Sequence, residues 1–295
     1  MKIAVLLTCF NRKVKTLRCL TSLVESSVKA QTKIDFEIFV TDDGSIDGTS
    51  DSLKDLPFAS KIHILQGDGS LFWNGGMNRS WDAASKYDKY DGYLWLNDDC
   101  LIYPEFWLDL DYTNTYCYNK YGKRGIYIGS TCDPQTKIFT YGGFKYVNKI
   151  TLKDEFVMPD GISPQECECG HGNITYISRE VEKRMGHLYH KYRHGGGDHD
   201  YTYRTHLAGF PVLVLPNFAG ECENDHIFTI KENFSKLGLR KRTEYLCSPF
   251  GFNLHNALVF QRRCFPFRYP FVLISGIMKA MFPMTYFKIY NFMRK

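Results

Sequence analysis

Four short apolar segments in the first hundred residues, each followed by polar or glycine-rich residues, constrain the fold most strongly. Their lengths suit strands that are buried on both faces. They are residues 3–8, 36–41, 62–65 and 93–96. Apolar residues at helical spacing between Val14 and Val24 predict a helix after the first segment, with Asn11 as its cap. Further helices are expected from Asp47 and near Trp73, so strands and helices alternate. This alternation predicts an α/β fold with a mostly parallel, doubly wound sheet.

The second part of the chain mixes strand and helix signals. Residues 125–180 are rich in strand candidates and turn signals, and residues 180–190 have a helical pattern. A helix is expected through Arg204 to Ala208, and a strand over residues 212–215. No linker is evident before residue 245, so we predict one domain over 1–244, made of two halves (1–120 and 121–244), followed by a tail over 245–295.

Each of the first four predicted strands ends in residues that can bind a ligand. These are Thr8 to Arg12, Asp42-Asp43, Asp68-Gly69 and Asp98-Asp99. In parallel sheets, ligands bind beyond the carboxyl ends of the strands. Because four such loops converge on one edge, the sequence predicts a single ligand site there.

The charge is unevenly distributed along the chain. Seven basic residues and no acidic residue follow Glu244, so residues 1–244 have 30 basic against 32 acidic side chains. A nearly neutral body argues against nucleic acid as a partner. No apolar run reaches the roughly 18–20 residues that span a bilayer, and the N-terminal segment reads as a core strand and not as a signal peptide.

The ten cysteines do not follow a zinc-ribbon or disulfide pattern. Cys167 and Cys169 form one C-x-C pair, and the others are scattered. A chain of this length can build a core without disulfide bonds. We therefore expect reduced, mostly buried thiols and a cytoplasmic protein, placed at the cytoplasmic face of a membrane if the tail binds lipid.

Asp98 and Asp99 form an acidic pair at a strand end. Adjacent carboxylates repel each other unless a cation or hydrogen-bond donors compensate. Mn²⁺ and Mg²⁺ prefer oxygen ligands and fill their other positions with phosphate and water. The pair is therefore a candidate site for a divalent cation and a diphosphate. Asp42-Asp43 could instead accept hydrogen bonds from a ribose or a base, or could form a turn that caps the next helix.

An ordered set of motifs resembles a family 2 glycosyltransferase with the GT-A fold of the nucleotide-diphospho-sugar transferase superfamily. The motifs are TCFNR, VTDDGSIDGT, GDGSLFWNGGMN, LWLNDDC, GHGNITYISREVEKRMG and GGGDHDYTYRTHLAGFPV. The resemblance covers roughly residues 1–220. It implies a nucleotide-diphosphate sugar as the donor, bound across the first half of the chain.

The resemblance also implies a role for individual residues. Asp99 would be the direct ligand of Mn²⁺ or Mg²⁺, and Asn97-Asp98-Asp99 occupies the place of the family's DXD motif, with Asn97 in place of the first Asp. Trp73 is the aromatic residue expected to stack on a sugar face. The residues expected to bind substrate are Thr8, Phe10, Asn11, Arg12, Asp42, Asp43, Asp68, Gly69, Trp73, Gly75, Gly76, Asn78, Asn97, Asp98 and Asp200.

The segment Gly197-Asp198-His199-Asp200 resembles the family's catalytic segment, where the first Asp acts as general base. A positioned carboxylate can remove the proton of an acceptor hydroxyl as it attacks the anomeric carbon, and one such displacement inverts the anomeric configuration. Asp198 is the expected base and Asp200 the alternative, or Asp198 only caps a helix. The four histidines between His187 and His199 fit no familiar zinc site, and the roles of Cys222, Glu223 and His226 are left open.

The tail after Glu244 contains 13 aromatic residues together with its basic residues. Two interpretations remain open, a packed pair of C-terminal helices and peripheral attachment to an anionic membrane. A transmembrane segment is disfavoured because Lys279 and Pro283 interrupt the apolar run.

These observations predict an inverting, metal-dependent glycosyltransferase. Its donor would be a UDP- or dTDP-linked sugar, and its acceptor a glycan or lipid-linked glycan in cell-surface polysaccharide assembly. The alternatives are a nucleotidyltransferase, although TCFNRKVK lacks the expected glycines, and a non-catalytic subunit that binds a sugar nucleotide. A dehydrogenase is disfavoured because no GxGxxG follows a strand.

Overall fold

The computed structural model describes residues 1–224 and 234–292, with side chains to residue 289. Contacts divide the chain into two compact units. The first contains residues 1–190 and 197–224, and the second contains residues 191–196 and the chain from 225 onward.

The first unit begins with four strands that alternate with helices, as the apolar pattern predicts. Their order is β1 (Lys2–Cys9), α1 (Lys13–Lys29), β2 (Asp35–Asp42), α2 (Thr49–Lys54), β3 (Ile62–Gln66), α3 (Phe72–Tyr87) and β4 (Gly92–Leu96). A short strand, β5 (Leu101–Ile102), and a long helix, α4 (Glu105–Tyr121), follow.

The remainder of this unit is richer in strands. It contains β6 (Ile126–Cys132), β7 (Phe139–Tyr141), β8 (Gly143–Asn148), β9 (Lys153–Phe156), β10 (Gln165–Glu166), β11 (Cys169–Gly170) and β12 (Ile174–Ser178). Helices α5 (Arg179–Met185) and α6 (Gly197–Leu207) precede the last strand, β13 (Val212–Glu221). The helix expected over 180–190 ends at Met185 because Gly186 adopts a positive φ of 72°.

The main sheet has the strand order β10-β13-β6-β12-β4-β1-β2-β3. Strands β3, β2, β1 and β4 run parallel, whereas β12 lies antiparallel between β4 and β6. The amino end of β12 therefore meets the carboxyl end of β4, and Ile174 pairs with Leu96. This reversal brings the segment before β12 to the same edge as the four polar loops.

Strand β1 is buried on both faces, which explains its continuous apolar sequence. Val5 and Leu7 belong to one core cluster, and Ala4 and Leu6 belong to the cluster on the opposite face. Period-two alternation of side chains gives both layers of helices an apolar surface to pack on.

The prediction that Asn11 caps α1 is wrong. Arg12 occupies the cap position without a side-chain hydrogen bond to the helix. Asn11 has a φ of 51°, and its Oδ1 accepts from the Ile46 N–H at 2.8 Å, so its side chain binds the loop after β2 instead. The N–H of Lys13 donates to Asp47 Oδ2 at 2.9 Å, and Asp47 thereby supplies the missing acceptor at the start of α1.

The second unit is helical over its described C-terminal part. Its α-helices are Leu239–Cys247, Leu254–Cys264, Tyr269–Met281 and Pro283–Phe292. Phe234 is fully buried, with its ring 5.0 Å from that of Phe252. Gly276 allows a close approach between helices, since an added Cβ would lie 2.6 Å from Leu254 Cδ2. Among residues 1–224 and 234–292, no helix combines the length and the apolar character needed to cross a bilayer.

Gly76 packs helix α3 directly against β1. A Cβ at this position would lie 2.0 Å from Thr8 Oγ1 and 2.7 Å from Thr8 Cβ, and a β-branched side chain on a central strand has little room to move. Replacing Gly76 by Ala should therefore lower the free energy of unfolding by about 1–3 kcal/mol. Urea denaturation measures the change.

The neighbouring Gly75→Ala variant is the matched control for Gly76→Ala. Its added Cβ would meet Leu71 Cβ at 3.2 Å, a contact that needs only a small adjustment. Alanine also favours a helix by about 1 kcal/mol over glycine, so Gly75→Ala should be neutral or stabilising. Equal losses for the two variants would contradict the close packing of Gly76 on Thr8.

Candidate functional site

The carboxyl ends of β1, β2 and β4 lie together at one edge of the sheet. Cys9 pairs with Asp42 in the parallel register of β1 and β2, and Leu6 pairs with Trp95 of β4. The Asn97 N–H, just beyond β4, donates to the Asn173 carbonyl at 2.9 Å. The structure therefore gathers at this edge the loops in which the sequence predicts a ligand site.

Asp43 organises the loop that follows β3. Its side chain is nearly fully buried, and its carboxylate accepts three backbone N–H groups: Gly69 at 2.9 Å, Leu71 at 3.0 Å and Phe72 at 3.1 Å. The resemblance places Asp43 against the nucleoside, and that role stays a prediction. The structure shows that Asp43 holds the loop beside the start of α3.

Asp42 has a similar role in the loop after β2. It is buried, its Oδ1 accepts from the Ser45 N–H at 2.9 Å, and its Oδ2 accepts from the Ser50 hydroxyl. The turn expected from the DDGS sequence is thus present. A contact of Asp42 with a base or a ribose also stays a prediction.

Phe10 and Gly69 form an exposed rim beside these loops. Phe10 is 49% exposed, and its ring lies 3.9 Å from the place where a Gly69 side chain would begin. Gly69 has a φ of 85°, which glycine adopts without strain. Asp68 is exposed and accepts from the N–H and hydroxyl of Ser70, at 2.9 and 2.6 Å. An open aromatic ring next to a glycine suits the face of a flat ligand.

Helix α3 uses several of its predicted donor-binding residues in packing. Thr8 donates to the Thr41 carbonyl at 3.2 Å and meets Gly76, as described above. The side-chain amide of Asn78 donates to the Leu188 carbonyl at 3.0 Å, within the same unit. The Gly75 N–H donates to the Leu71 carbonyl at 3.1 Å in the first turn of α3. Thr8 and Asn78 thus have hydrogen-bond partners within the chain, and Gly76 is packed against Thr8.

Arg12 neutralises the acidic pair after β4. Its Nη1 lies 3.1 Å from Asp98 Oδ1, and its Nη2 lies 2.6 Å from Asp99 Oδ2. Thr16 also donates to Asp98 Oδ2, at 3.4 Å. A single guanidinium therefore bridges both carboxylates through different nitrogens.

The buried position of Asp98 makes its negative charge costly. Burial raises the pKa of Asp98 to about 7, although the nearby positive charge of Arg12 acts in the opposite direction. The negative charge of Asp99 adds to the increase. The pair thus needs positive charge nearby to keep both carboxylates ionised.

The residues around Asp99 fit a divalent cation that is held mainly by its substrate. Within the described residues, one group of three metal-ligating side chains comes together: Asp99, Cys100 and Cys222. Cys100 is fully buried, and burial holds its pKa well above the usual value, so this thiol stays protonated. Asp99 then offers the hard oxygen ligand, which is enough for Mn²⁺ or Mg²⁺ when phosphates and water complete the shell. The guanidinium beside Asp99 shows that this position accommodates positive charge.

Asp198 lies in the first turn of α6 with both carboxylate oxygens hydrogen-bonded. Its Oδ2 accepts from the Gly172 N–H at 3.0 Å, and its Oδ1 accepts from the His199 N–H at 2.9 Å. Burial alone would raise the pKa of Asp198, but the charges of His199 and His171 and these two N–H donors together lower it. Asp198 is therefore an ionised carboxylate at neutral pH, and its side chain is 16% exposed.

Trp73 connects the acidic pair with Asp198. Its Nε1 donates to Asn97 Oδ1 at 2.8 Å, directly before Asp98 in the chain. The adjoining benzene edge of the indole lies against Gly172, where an added Cβ would be 2.7 Å from Trp73 Cζ2 and 3.3 Å from Asp198 Cβ. The aromatic residue singled out from the sequence thus stands between the two predicted chemical groups.

A second connection runs through Asn173 and Cys222. The side-chain amide of Asn173 donates to Cys222 Sγ at 3.4 Å, and the Cys222 thiol donates to Asp99 Oδ1 at 3.6 Å. The Gly172 N–H donates to Asp198, and the next residue, Asn173, is hydrogen-bonded to Asp99 through Cys222. Two successive residues therefore connect the two carboxylates. A pocket of about 50 Å³ lies beside Asp99 and is lined partly by Cys222.

Asp200, the alternative base, has a different environment. Its side chain is 1% exposed, and its Oδ2 lies 3.6 Å from Arg204 Nη1, one turn later in α6. Asp198 is the more accessible of the two carboxylates.

The sequence analysis missed His171. Its ring centroid is 5.0 Å from that of His199, and its Nδ1 lies 3.0 Å from the Gly142 carbonyl oxygen. Phe144 packs against both imidazole rings. The available signal was the GHGN motif, which the resemblance included without a role for its histidine. His226 lies outside the described residues.

The three hydrogen bonds of Asp43 predict a stability effect. Asp43→Ala should lower the free energy of unfolding by about 2–4 kcal/mol, because it removes a buried acceptor that three partly buried N–H groups share. Urea denaturation measures the loss, and amide exchange should accelerate at Gly69, Leu71 and Phe72. The control is Asp68→Ala, which opens an exposed turn of the same loop and should change stability little. Unchanged exchange at the three amides would contradict this role of Asp43.

Comparison with known proteins agrees with this architecture. Residues 4–110 match the family model described as glycosyl transferase family 2, so the resemblance noted in the sequence is confirmed. No curated protein sequence matches the chain.

Solved structures resemble the chain over most of its length. S. aureus TarS 1–349 in complex with UDP-GlcNAc has a TM-score of 0.56 and 14% identity, over 95% of this chain and 82% of the other. The mannosyltransferase PcManGT from Pyrobaculum calidifontis, in complex with GDP-Man and Mn²⁺, has a TM-score of 0.55 and 12% identity, over 98% and 78%. These similarities confirm the α/β GT-A fold.

Proposed function

We propose that this chain, which carries a family 2 glycosyltransferase domain in residues 4–110, transfers a sugar from a nucleotide diphosphate to an acceptor hydroxyl with inversion. One observation carries the proposal: Gly172 and Asn173 link the ionised carboxylate of Asp198 to Asp99 through Cys222. A cation-binding carboxylate and a base near one another are what an inverting transfer requires.

The donor would lie at the sheet edge, beside the loops that follow β1, β2 and β3. The exposed ring of Phe10 and the backbone at Gly69 offer a surface for the nucleoside, and Asp42 and Asp43 hold the two loops that frame it. We propose a UDP- or dTDP-linked sugar as donor. TarS and PcManGT have a similar fold, and their structures are complexes with UDP-GlcNAc and GDP-Man. These complexes support a nucleotide-diphosphate sugar as the donor of this chain.

Asp99 would hold Mn²⁺ or Mg²⁺ together with the diphosphate of the donor. When bound, the cation would neutralise the charge that develops on the departing nucleoside diphosphate. Arg12 is a further positive group next to this site, and Trp73 keeps Asn97 oriented through its indole N–H. The complex of PcManGT with Mn²⁺ supports a divalent cation in this fold.

Asp198 would act as the general base. Its lowered pKa keeps it ionised at neutral pH, and the N–H groups of Gly172 and His199 fix the orientation of its carboxylate. The proton of the acceptor hydroxyl would pass to Asp198 while the hydroxyl oxygen bonds to the anomeric carbon. Residues 121–244 would then supply the acceptor side, and residues 1–120 the donor side.

Replacing Asp198 by Asn tests this function. Because the amide cannot take the proton, transfer should fall by roughly 10²–10⁴-fold, whereas donor binding with Mn²⁺ should change little. Product formation with a panel of nucleotide-diphosphate sugars measures transfer, and calorimetry measures donor binding.

Asp200→Asn is the companion variant, since a larger loss of transfer in Asp200→Asn than in Asp198→Asn would assign the base to Asp200. Wild-type transfer by Asp198→Asn would contradict the assignment, and donor binding without any product would favour a non-catalytic subunit.

The acceptor is proposed to be a glycan on a lipid carrier, in cell-surface polysaccharide assembly at the cytoplasmic face of a membrane. The second unit supports this location because its surface suits a lipid bilayer. In the helix Tyr269–Met281, the side chains of Phe271, Ile274, Ile277 and Met281 lie on one face and are each at least 50% exposed. Their three- and four-residue spacing makes a continuous apolar stripe.

Charge favours an anionic membrane as the partner of this stripe. No acidic residue follows Glu244, and Arg262, Arg263, Arg268, Lys279 and Lys288 are among the basic residues of this region. Exposed apolar side chains flanked by basic residues are typical of helices that lie in a membrane interface.

Replacing most of the stripe by polar residues should weaken membrane binding. The triple variant Phe271→Gln, Ile274→Gln, Ile277→Gln should bind liposomes with anionic lipid at least about tenfold more weakly than the wild-type chain, because buried apolar area is lost. Liposome cosedimentation of the full chain measures binding. The control replaces Ile46, Ile138 and Ile162 by Gln, which are exposed in the first unit and should leave binding unchanged. Equal binding by the wild type and both triple variants would contradict the membrane face.

A further inference from the structure

We propose that Arg12 is an internal counter-ion that occupies the cation position at Asp99 until a divalent cation displaces it. After displacement, the guanidinium would be available to the diphosphate of the donor. This inference rests on the proposed function in one respect, namely that Asp99 is the cation ligand.

The contacts of Arg12 support this exchange. Nη2 lies 2.6 Å from Asp99 Oδ2, the short distance of a charge-assisted hydrogen bond, while Nη1 lies 3.1 Å from Asp98 Oδ1. The other oxygen of Asp99 accepts from the Cys222 thiol at 3.6 Å. Both oxygens of the predicted cation ligand therefore already have partners within the chain.

A guanidinium and a divalent cation compete for this carboxylate. The oxygen that accepts from Arg12 directs its lone pair at the guanidinium, and two positive groups at one oxygen repel each other. Asp98 keeps a contact with Thr16 if the guanidinium moves. Arg12 is 36% exposed while Asp98 is 6% exposed, so the arginine side chain has the access to solvent that a rearrangement needs.

The exchange would have two consequences. Without a cation, Arg12 relieves the repulsion between two adjacent carboxylates, one of which is buried. With a cation, it adds a planar donor group that suits phosphate oxygens. The chain would therefore bind its cation weakly alone and more tightly together with the nucleotide diphosphate, because the diphosphate compensates the displaced guanidinium.

Mn²⁺ titration without nucleotide tests this inference, with electron paramagnetic resonance of free Mn²⁺ as the readout. Arg12→Gln should bind Mn²⁺ about tenfold more tightly than the wild type, as expected if the guanidinium occupies Asp99 about nine-tenths of the time. Arg12→Lys should lie between the two, since an ammonium is one compact charge and cannot bridge both carboxylates as a fork. With saturating Mn²⁺, Arg12→Gln should bind UDP more weakly than the wild type.

Arg18→Gln is the matched control. Arg18 has the same charge as Arg12, lies on helix α1 and lines the pocket beside Asp99. Among the described residues, however, the ion pair of Asp99 is formed with Arg12. A direct exchange predicts that Arg18→Gln leaves the affinity for Mn²⁺ within about twofold of the wild type, because it changes only screened, longer-range charge. An equal gain for both variants would overturn the proposal in favour of a general charge effect. Melting temperatures confirm that each variant is folded, and Arg12→Lys decides the result if Arg12→Gln does not fold.

Asp99→Asn separates this inference from the proposed function. If Asp99→Asn abolishes Mn²⁺ binding while Arg12→Gln binds like the wild type or more weakly, the counter-ion role is overturned and the cation site at Asp99 stands. If Asp99→Asn binds Mn²⁺ like the wild type, the assignment of the cation to Asp99 fails, and the counter-ion role fails with it.

Discussion

The repulsion between two adjacent carboxylates is the constraint around which this site is built. Asp98 and Asp99 end a buried strand, and the burial of Asp98 makes its charge costly. The compensating groups come from the start of α1, where Arg12 reaches both carboxylates and Thr16 reaches one. Because Arg12 is the cap residue of α1, the position at which α1 begins places its guanidinium against the residues that follow β4. The ion pairs of Arg12 thus join the start of α1 to the acidic pair.

A second group of hydrogen bonds shapes the loops at which we propose that the donor binds. Asp43 is a buried carboxylate that gathers backbone N–H groups, so the loop after β3 turns toward the loop after β2. A carboxylate used in this way contributes to the pocket by positioning other groups, whether or not it touches a ligand. The exposed ring of Phe10 depends on this arrangement, because Gly69 is held beside it.

The sequence predicted the parallel half of the sheet well because its signals are local. Apolar runs of strand length alternate with amphipathic helices, and each strand of β1 to β4 was placed within a few residues. The same locality explains the errors. Asn11 is a good cap by residue type, yet its side chain binds Ile46, a partner on another loop. The end of α5 depends on the conformation of a single glycine, Gly186.

The contacts that connect Asp99 with Asp198 could not be predicted from the sequence. The proximity of Cys222 to Asp99 depends on the antiparallel pairing of the end of β13 with β5, and Cys222 and Asp99 are separated by more than a hundred positions. The role of His171 beside Asp198 depends on the antiparallel insertion of β12, which no local pattern specifies. Asp98 and Asp99 were singled out because adjacent carboxylates at a strand end need a compensating charge, and Asp198 was singled out because its segment resembles the family's catalytic segment.

The absence of a side chain at Gly172 has a consequence for the candidate site. A Cβ added at Gly172 would lie 2.7 Å from Trp73 Cζ2 and 3.3 Å from Asp198 Cβ, so even a methyl group would force the indole to shift. Such a shift would disturb the hydrogen bond from Trp73 to Asn97, two positions before the proposed cation ligand Asp99. In the proposed reaction, a position without a side chain would thus govern the spacing between the departing diphosphate and the incoming hydroxyl.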